Sequence, residues 1–288
     1  MLLKSRAKIN LYLKIGKKLK SGYHNIQSVM QLIELHDNIS FESLDENGII
    51  IESNNKELES KNNIAYKAAL LLKNNFKIKE GVKINIEKQI PLASGLGGGS
   101  SNAASTLLAL NKLWNLNLPQ KKLISLALGI GSDVPFFIPG ETALVEGVGD
   151  KIKPLKKSLS LNIVLVNPGI KVSTAWAYKE FDTMKAKGFQ GTKNLRFFRE
   201  NNSKGKNKKE IKELIRAINK KDIKKVSENL YNDFSPIIEK KVKAVGEIKA
   251  NLKKFNALNS LISGSGPTVI GLFDSIYTAR EAYFKLKD

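Results

Sequence analysis

Apolar and polar residues alternate at the start of the chain. Ala7, Ile9, Leu11, Leu13 and Ile15 fall on one side, and Lys8, Asn10, Tyr12 and Lys14 on the other. A period of two predicts a half-buried strand that presents Lys8 and Asn10 together. Ser21 to His24 reads as a turn, followed by strands over 29–35 and 39–41. An amphipathic stretch over 63–73 predicts a helix, and renewed alternation over 82–88 a strand. Helices follow over 103–114 and 123–128, the second stopped by Gly129 and Gly131. The apolar run 136–138 predicts a strand, the glycine-punctuated stretch 141–149 a hairpin, and the continuous apolar run 161–166 a further strand. Residues 174–181 read as a helix carrying Trp176 and Tyr178. Residues 185–209 are polar, basic and aperiodic, which predicts a mobile loop. Helices over 211–218, 221–231 and 237–255 come next. A strand then enters the turn 263–267, a second covers 268–273, and a last helix begins near Ile276. This mixture predicts an α/β or α+β fold with a boundary near 154–160.

Between the strand at 82–88 and the helix after it lies the most informative segment. Gly95, Gly97, Gly98 and Gly99 are four glycines within five residues, followed by Ser100, Ser101 and Asn102. Glycines at such a junction let backbone N–H groups approach an anion without Cβ interference. The helix beginning near Ser100 adds unpaired N–H groups and the positive end of its dipole. A strand–glycine loop–helix unit of this kind predicts a phosphate cradle and makes a nucleotide the leading ligand. It is not a Walker loop, which needs Gly-Lys-Ser/Thr at its end. Nor is it the dinucleotide fingerprint, because Ser100 occupies the place of the third glycine.

Composition narrows the rest. The 288 residues are 42% hydrophobic and 26% charged, enough for one large domain or two ordinary ones. The chain contains no cysteine, which excludes disulfides, thiolate metal sites and a cysteine nucleophile. No apolar stretch is long enough for a signal peptide or a spanning helix, so a cytoplasmic protein with no membrane partner is expected. The net charge of +21 could serve nucleic-acid binding. The lysines are scattered through nearly every segment, however, with no aromatic-interleaved patch and no zinc spacing. Attraction of small polyanionic substrates uses the same field more economically.

Three features, in order along the chain, resemble the GHMP kinases, the family of galactokinase, homoserine kinase, mevalonate kinase and phosphomevalonate kinase. They are the strand with Lys8, the loop from Pro91 to Ser101, and the late Ser263-Gly-Ser-Gly266 turn. Within that family Gly22-Tyr-His24, Gly97 to Ala104, Gly131 to Pro135 and Glu146 to Gly149 resemble the branch acting on a cytidylyl-linked methylerythritol. The resemblance spans almost the whole chain; 185–209 is locally divergent, and Ala93-Ser94 stands where glycine or alanine is common. It implies a two-domain α+β fold, with an ATP-binding domain over 1–156 and a ferredoxin-like domain over 157–288, and the active site between them. It further implies transfer of the ATP γ-phosphoryl group to the C2 hydroxyl of 4-diphosphocytidyl-2-C-methyl-D-erythritol, in the non-mevalonate isoprenoid route. The protein would be a monomer or homodimer with a small-molecule substrate and no nucleic acid. Two other readings stand beside this one: a mevalonate- or homoserine-type acceptor, and a basic nucleic-acid-binding protein without catalysis.

The resemblance also assigns roles. Asp133 would be the base that receives the acceptor's proton; a turn or helix-capping aspartate is the plainer reading, and the resemblance favours the base. Lys8 would stand beside Asp133, ease proton loss from the attacking hydroxyl and offset charge on the moving phosphoryl group. Asn10 would position the acceptor. Tyr23 and His24 would hold the cytosine by its face and edge, with Thr174 and Tyr178 nearby, although Tyr178 equally suits a core position. Pro91, Leu92, Ala93, Ser94 and Gly95 would wrap the ATP phosphates together with Leu96, Gly97, Gly98, Gly99, Ser100 and Ser101. Asn63 and Lys88 would lie near the adenine. Mg²⁺ is expected to bridge the β- and γ-phosphates, with Ser101 as its nearest protein group.

Overall fold

The computed structural model describes residues 1–157, 159–186 and 210–287. The described chain forms two compact units. The first comprises Met1–Ile9, Ile15–Leu92 and Leu96–Leu155; the second comprises Asn10–Lys14, Ala93–Gly95 and Lys156–Asp288.

In the first unit, β1 (Leu2–Lys18) lies beside β2 (His24–Leu44), which pairs antiparallel with β4 (Gly81–Glu87). The short β3 (Ile49–Ser53) adds to β4 in parallel. The other end of β2 pairs with β5 (Ala143–Gly147), and β5 turns back into β6 (Lys151–Pro154). The expected hairpin therefore exists but runs on to Pro154. Helices α1 (Ile64–Phe76) and α2 (Gly98–Leu113) pack on one another, with α3 (Gln120–Leu128) beside α2. Leu72, Ile84, Ile86, Leu107 and Leu110 are completely buried in this unit. Each such side chain contributes about 1.5–3 kcal/mol of burial free energy.

Four expectations for this unit need correction. β1 is not half-buried: every residue from Ala7 to Leu13 is at most 4% exposed, so its polar face is covered too. The segments 29–35 and 39–41 belong to one 21-residue strand. The polar residues that seemed to interrupt it include Asp37, which is fully buried and receives the backbone N–H groups of Gln89 and Ile90. The apolar run after Asp133 is a buried 3₁₀ turn, Val134–Phe137, rather than a strand. Pro135 near its start sets a helical φ and lacks the N–H a sheet would require. Helix α2 begins at Gly98, two residues before the expected Ser100, so the last glycines form its first turn.

The second unit is built on an antiparallel sheet in which β10 (Val269–Phe273) lies between β7 (Asn162–Val166) and β9 (Asn259–Ile262). Helices α4 (Thr174–Ala186), α5 (Ile211–Lys220), α6 (Ile223–Glu228), α7 (Ser235–Lys241), α8 (Lys243–Lys254) and α9 (Ile276–Lys287) complete it. Two expected helices are altered. The helix expected over 221–231 ends at Glu228, and Tyr231 with Asn232 forms β8, which pairs in parallel with Tyr12 and Leu13. The helix over 237–255 breaks at Val242, whose backbone is extended (φ −121, ψ 90). Lys185 and Ala186 end α4, and residues 187–209 of the expected mobile loop lie outside the described residues. Among the described residues no helix is long and apolar enough to cross a membrane.

Candidate active site

The glycine loop joins β4 to α2. Gly97, in the left-handed region (φ +71), caps α2 with no side-chain hydrogen bond, and the first helical bond runs from Ser101 N to the Gly97 carbonyl. The first-turn N–H groups have no partner within the helix and no side-chain cap, the arrangement that receives anions. A Cβ on Gly97 would lie 2.9 Å from Phe137 Cζ and 3.1 Å from Lys8 Cε, so the loop, the 3₁₀ turn and the lysine meet there. Gly95 (φ +81) is held closer still, since its Cβ would stand 2.0 Å from the Ser263 carbonyl oxygen. Ser263 Oγ in turn donates to the Gly95 carbonyl at 3.0 Å. Ala93 adopts φ +51, a conformation that costs an L-residue about 1–2 kcal/mol and that glycine adopts freely. Ser94 and Leu96 are buried, while Pro91 and Gly99 are exposed.

Lys8 reaches Asp133 from β1. Its Nζ lies 3.5 Å from Asp133 Oδ2, its side chain is 3% exposed, and its backbone N–H donates to the Leu96 carbonyl at 2.9 Å. Asp133 begins the 3₁₀ turn, but its side chain makes no cap hydrogen bond there and is 36% exposed. The capping reading of Asp133 therefore does not hold. A buried ammonium beside a solvent-reaching carboxylate can neutralise charge and accept a proton in one place.

The other expected residues divide by unit. Asn10 is 1% exposed on β1, in the second unit. Tyr23 is 62% exposed after the turn at Gly22, while His24 opens β2 and is buried. Thr174 Oγ1 lies 2.8 Å from Ser265 Oγ, which ties the start of α4 to the turn 263–266. Tyr178 is half-buried, its ring packed edge-on against Phe234 at 4.9 Å. Asn63 caps α1, accepting from Ala65 N and donating to the Leu58 carbonyl, both at 2.9 Å. Lys88 Nζ donates to Asp37 Oδ2 at 2.6 Å. Burial pushes its ammonium below the ordinary lysine range, against the pull of Asp37.

Ser5 and Asn232 reach the loop or the turn without any signal in the sequence, and Asn102 was read only as the residue after the loop's two serines. Ser5 and Asn102 hydrogen-bond to each other and link Ser101 to Asp37. Asn232 donates to the carbonyls of Ile262 and Gly264 at 3.0 and 2.8 Å, holding the turn. The available signal for Asp37 was a lone carboxylate inside an apolar strand. Among the described residues no cluster of three or more His, Asp or Glu could hold a metal ion.

The description "GHMP kinases N terminal domain" matches residues 63–141, and "GHMP kinases C terminal" matches 212–288. The chain is 38% identical, over all of its length and 93% of the relative's, to a 4-diphosphocytidyl-2-C-methyl-D-erythritol kinase of Caldicellulosiruptor saccharolyticus. It is 41% identical to the kinase of that name from Clostridioides difficile, covering 99% of this chain and 92% of the relative. A crystal structure of 4-(cytidine 5'-diphospho)-2C-methyl-D-erythritol kinase superposes with a TM-score of 0.77 at 27% identity, over 100% of this chain and 95% of that one. With both domain matches and full-length relatives in hand, the chain belongs to the GHMP kinases, ATP-dependent kinases of small molecules, in the branch of the 4-diphosphocytidyl-2-C-methyl-D-erythritol kinases.

Proposed function

We propose that this protein transfers the γ-phosphoryl group of ATP to the C2 hydroxyl of 4-diphosphocytidyl-2-C-methyl-D-erythritol, in the cytoplasm and in the service of isoprenoid precursor synthesis. The observation that carries the reading is the Lys8–Asp133 pair, with the Lys8 chain packed against Gly97 of the anion-receiving loop. Asp133 accepts the hydroxyl proton as the new O–P bond forms and the bond to the leaving ADP breaks. Lys8 offsets the charge on the equatorial oxygens. Residues 91–101 wrap the phosphates. Mg²⁺ fits as a substrate-borne ion: it keeps phosphate and water ligands, needs no protein cage, and has the Ser101 hydroxyl within the same loop. When bound it neutralises phosphate charge.

Acceptor recognition is assigned to Asn10, Tyr23, His24, Thr174 and Tyr178. The 62% exposure of Tyr23 suits a ring that stacks on a base rather than one that fills a core. Lys88 and Asn63 flank the adenine, and the domains are taken as 1–156 and 157–288. The test is ADP release with ATP, Mg²⁺ and the cytidylyl acceptor, run beside mevalonate and homoserine. ADP with the cytidylyl compound alone is expected. Turnover of another acceptor would keep the kinase and discard the role of Tyr23 and His24.

A further inference from the structure

Beneath the glycine loop of the first unit lies a buried polar chain whose inner members, Asp37, Asn102 and Ser5, the proposed reaction does not yet use. Asp37, on β2, is completely buried and receives four donors. Oδ1 accepts from Gln89 N and Ile90 N, each at 2.8 Å. Oδ2 accepts from Lys88 Nζ at 2.6 Å and Asn102 Nδ2 at 3.0 Å. Asn102 Nδ2 also donates to Ser5 Oγ at 2.9 Å, and Ser5 Oγ lies 2.8 Å from Ser101 Oγ. Ser5, Ser101 and Asn102 are at most 2% exposed.

The direction of every bond in this chain follows from its first member. A carboxylate that receives four donors presents no proton, so the Asn102 atom facing it is the amide nitrogen. That same nitrogen faces Ser5, so Ser5 Oγ is an acceptor on that side. A buried hydroxyl proton requires an acceptor. Among the described residues Ser101 Oγ is the only one within reach of Ser5, so Ser5 donates to Ser101. Ser101 must then turn its own proton away from the chain. Its oxygen stands in the first turn of α2, where the loop receives anions.

We propose that Asp37 is a positioning residue that, through Asn102 and Ser5, fixes the Ser101 hydroxyl as a hydrogen-bond donor toward the bound ATP phosphates. This rests on the reading of residues 91–101 as the phosphate loop. A buried charge thus orients a neutral hydroxyl three residues away in the relay, leaving no rotamer search when the nucleotide arrives. Replacing Asp37 with asparagine reverses the order. The N–H groups of Gln89 and Ile90 demand the amide oxygen, so the new NH₂ faces Asn102 and also Lys88 Nζ, which loses its acceptor and turns away. Asn102 then turns its oxygen toward Ser5, Ser5 donates backward, and Ser101 donates inward to Ser5.

The experiment measures ATP dissociation constants, and KM for both substrates, in wild type, Asp37→Asn, Ser101→Ala and the double variant. Asp37→Asn is expected to raise the ATP dissociation constant about tenfold, the size of one charge-assisted hydrogen bond. KM for the acceptor should stay within about twofold, since nothing in the relay faces it. In the Ser101→Ala background the same substitution should change ATP binding by less than about twofold, because the relay has lost its end point. A tenfold effect that persists without Ser101, or no effect in its presence, overturns the proposal. If Asp37→Asn does not fold, Ser5→Ala is read instead: about a threefold rise in the ATP constant is expected, and an unchanged constant overturns the relay. Wild-type protein that binds no ATP would defeat the phosphate-loop reading itself, a result distinct from either.

Discussion

Asp133 and Lys8 are placed in opposite environments, and that difference sorts their roles. The lysine side chain is 3% exposed and anchored by its own backbone to Leu96, while the carboxylate is 36% exposed and free of any capping duty. A proton acceptor has to meet the incoming hydroxyl, so in the proposed mechanism the group that reaches solvent is taken as the base and the enclosed one as its electrostatic partner. Asp133→Asn keeps the shape of the turn, because no backbone N–H depends on the side chain. We expect kcat to fall by about a thousandfold, within the range for loss of a general base. The ATP dissociation constant, measured by titration on the same preparation, should hold within about twofold. A variant that retains turnover would remove Asp133 from the chemistry and leave it as a counter-ion to Lys8.

At the scale of elements, the loop between β4 and α2 is set by what its glycines must avoid. Gly97→Ala meets a left-handed backbone cost of about 1–2 kcal/mol and pushes on Phe137 and Lys8. Gly169→Ala is the matched control, since its φ is +74 with nothing within 4 Å of the added carbon. Both variants should lose stability by that backbone cost in urea unfolding, and Gly97→Ala more, because its added carbon also meets Phe137 and Lys8. Only Gly97→Ala should lose turnover, by about tenfold or more, because it alone displaces the lysine. Equal losses of activity would show that backbone strain, not Lys8 placement, is the operative effect. This loop was legible in the sequence because glycine clusters report backbone geometry directly. The elements with clean periodicity, such as α1 and β4, were legible for the same kind of reason. What stayed hidden depended on partners far along the chain. Asp37 looked like a strand break, since the Gln89 and Ile90 N–H groups that satisfy it lie about fifty positions on. The 3₁₀ turn after Asp133 carried an apolar run that periodicity alone cannot assign.

The β1–β8 pairing carries a pH signature of its own. Tyr12 is 2% exposed and packs on Tyr231 with ring centroids 5.3 Å apart. Burial, then the charges of Asp233 and Glu210, push the Tyr12 hydroxyl from its ordinary 10.0 up to about 12. Tyr231 donates to Asp233 and is pushed up further, first by burial and then by that carboxylate. Both raised values favour the neutral form in the folded state. Their stabilisation is complete below pH 10 and is lost as the unfolded chain ionises first. For Tyr12 the loss is on the order of 2–3 kcal/mol, complete only once pH passes the folded-state value of about 12. Urea midpoints should therefore be flat through this pair's contribution below pH 10 and fall above it. Tyr12→Phe should be less pH-dependent in that window; an identical slope would place the alkaline loss elsewhere.

For the molecule as a whole, the question is what a net charge of +21 does in a kinase whose proposed substrates are both anions. ATP and a cytidylyl diphosphate each bring several negative charges, and a positive field raises their encounter rate without needing a contact. Such steering acts across distances comparable with the screening length, about 10 Å at 0.1 M salt, and weakens as salt is added. Contacts inside the site are screened far less. We therefore expect kcat/KM for both substrates to fall by about tenfold or less between 20 and 200 mM salt, with kcat nearly constant. The split matters: a fall in kcat would point to salt acting on the Lys8–Asp133 pair, and a flat kcat/KM would reduce the charge to a solvated coat. A short DNA or RNA duplex added at low salt supplies the contrast. If the field only steers, the duplex competes weakly with ATP, and its effect disappears by about 0.2 M salt. Tight duplex binding that survives such salt without affecting turnover would give the lysines a second role, separate from the kinase site.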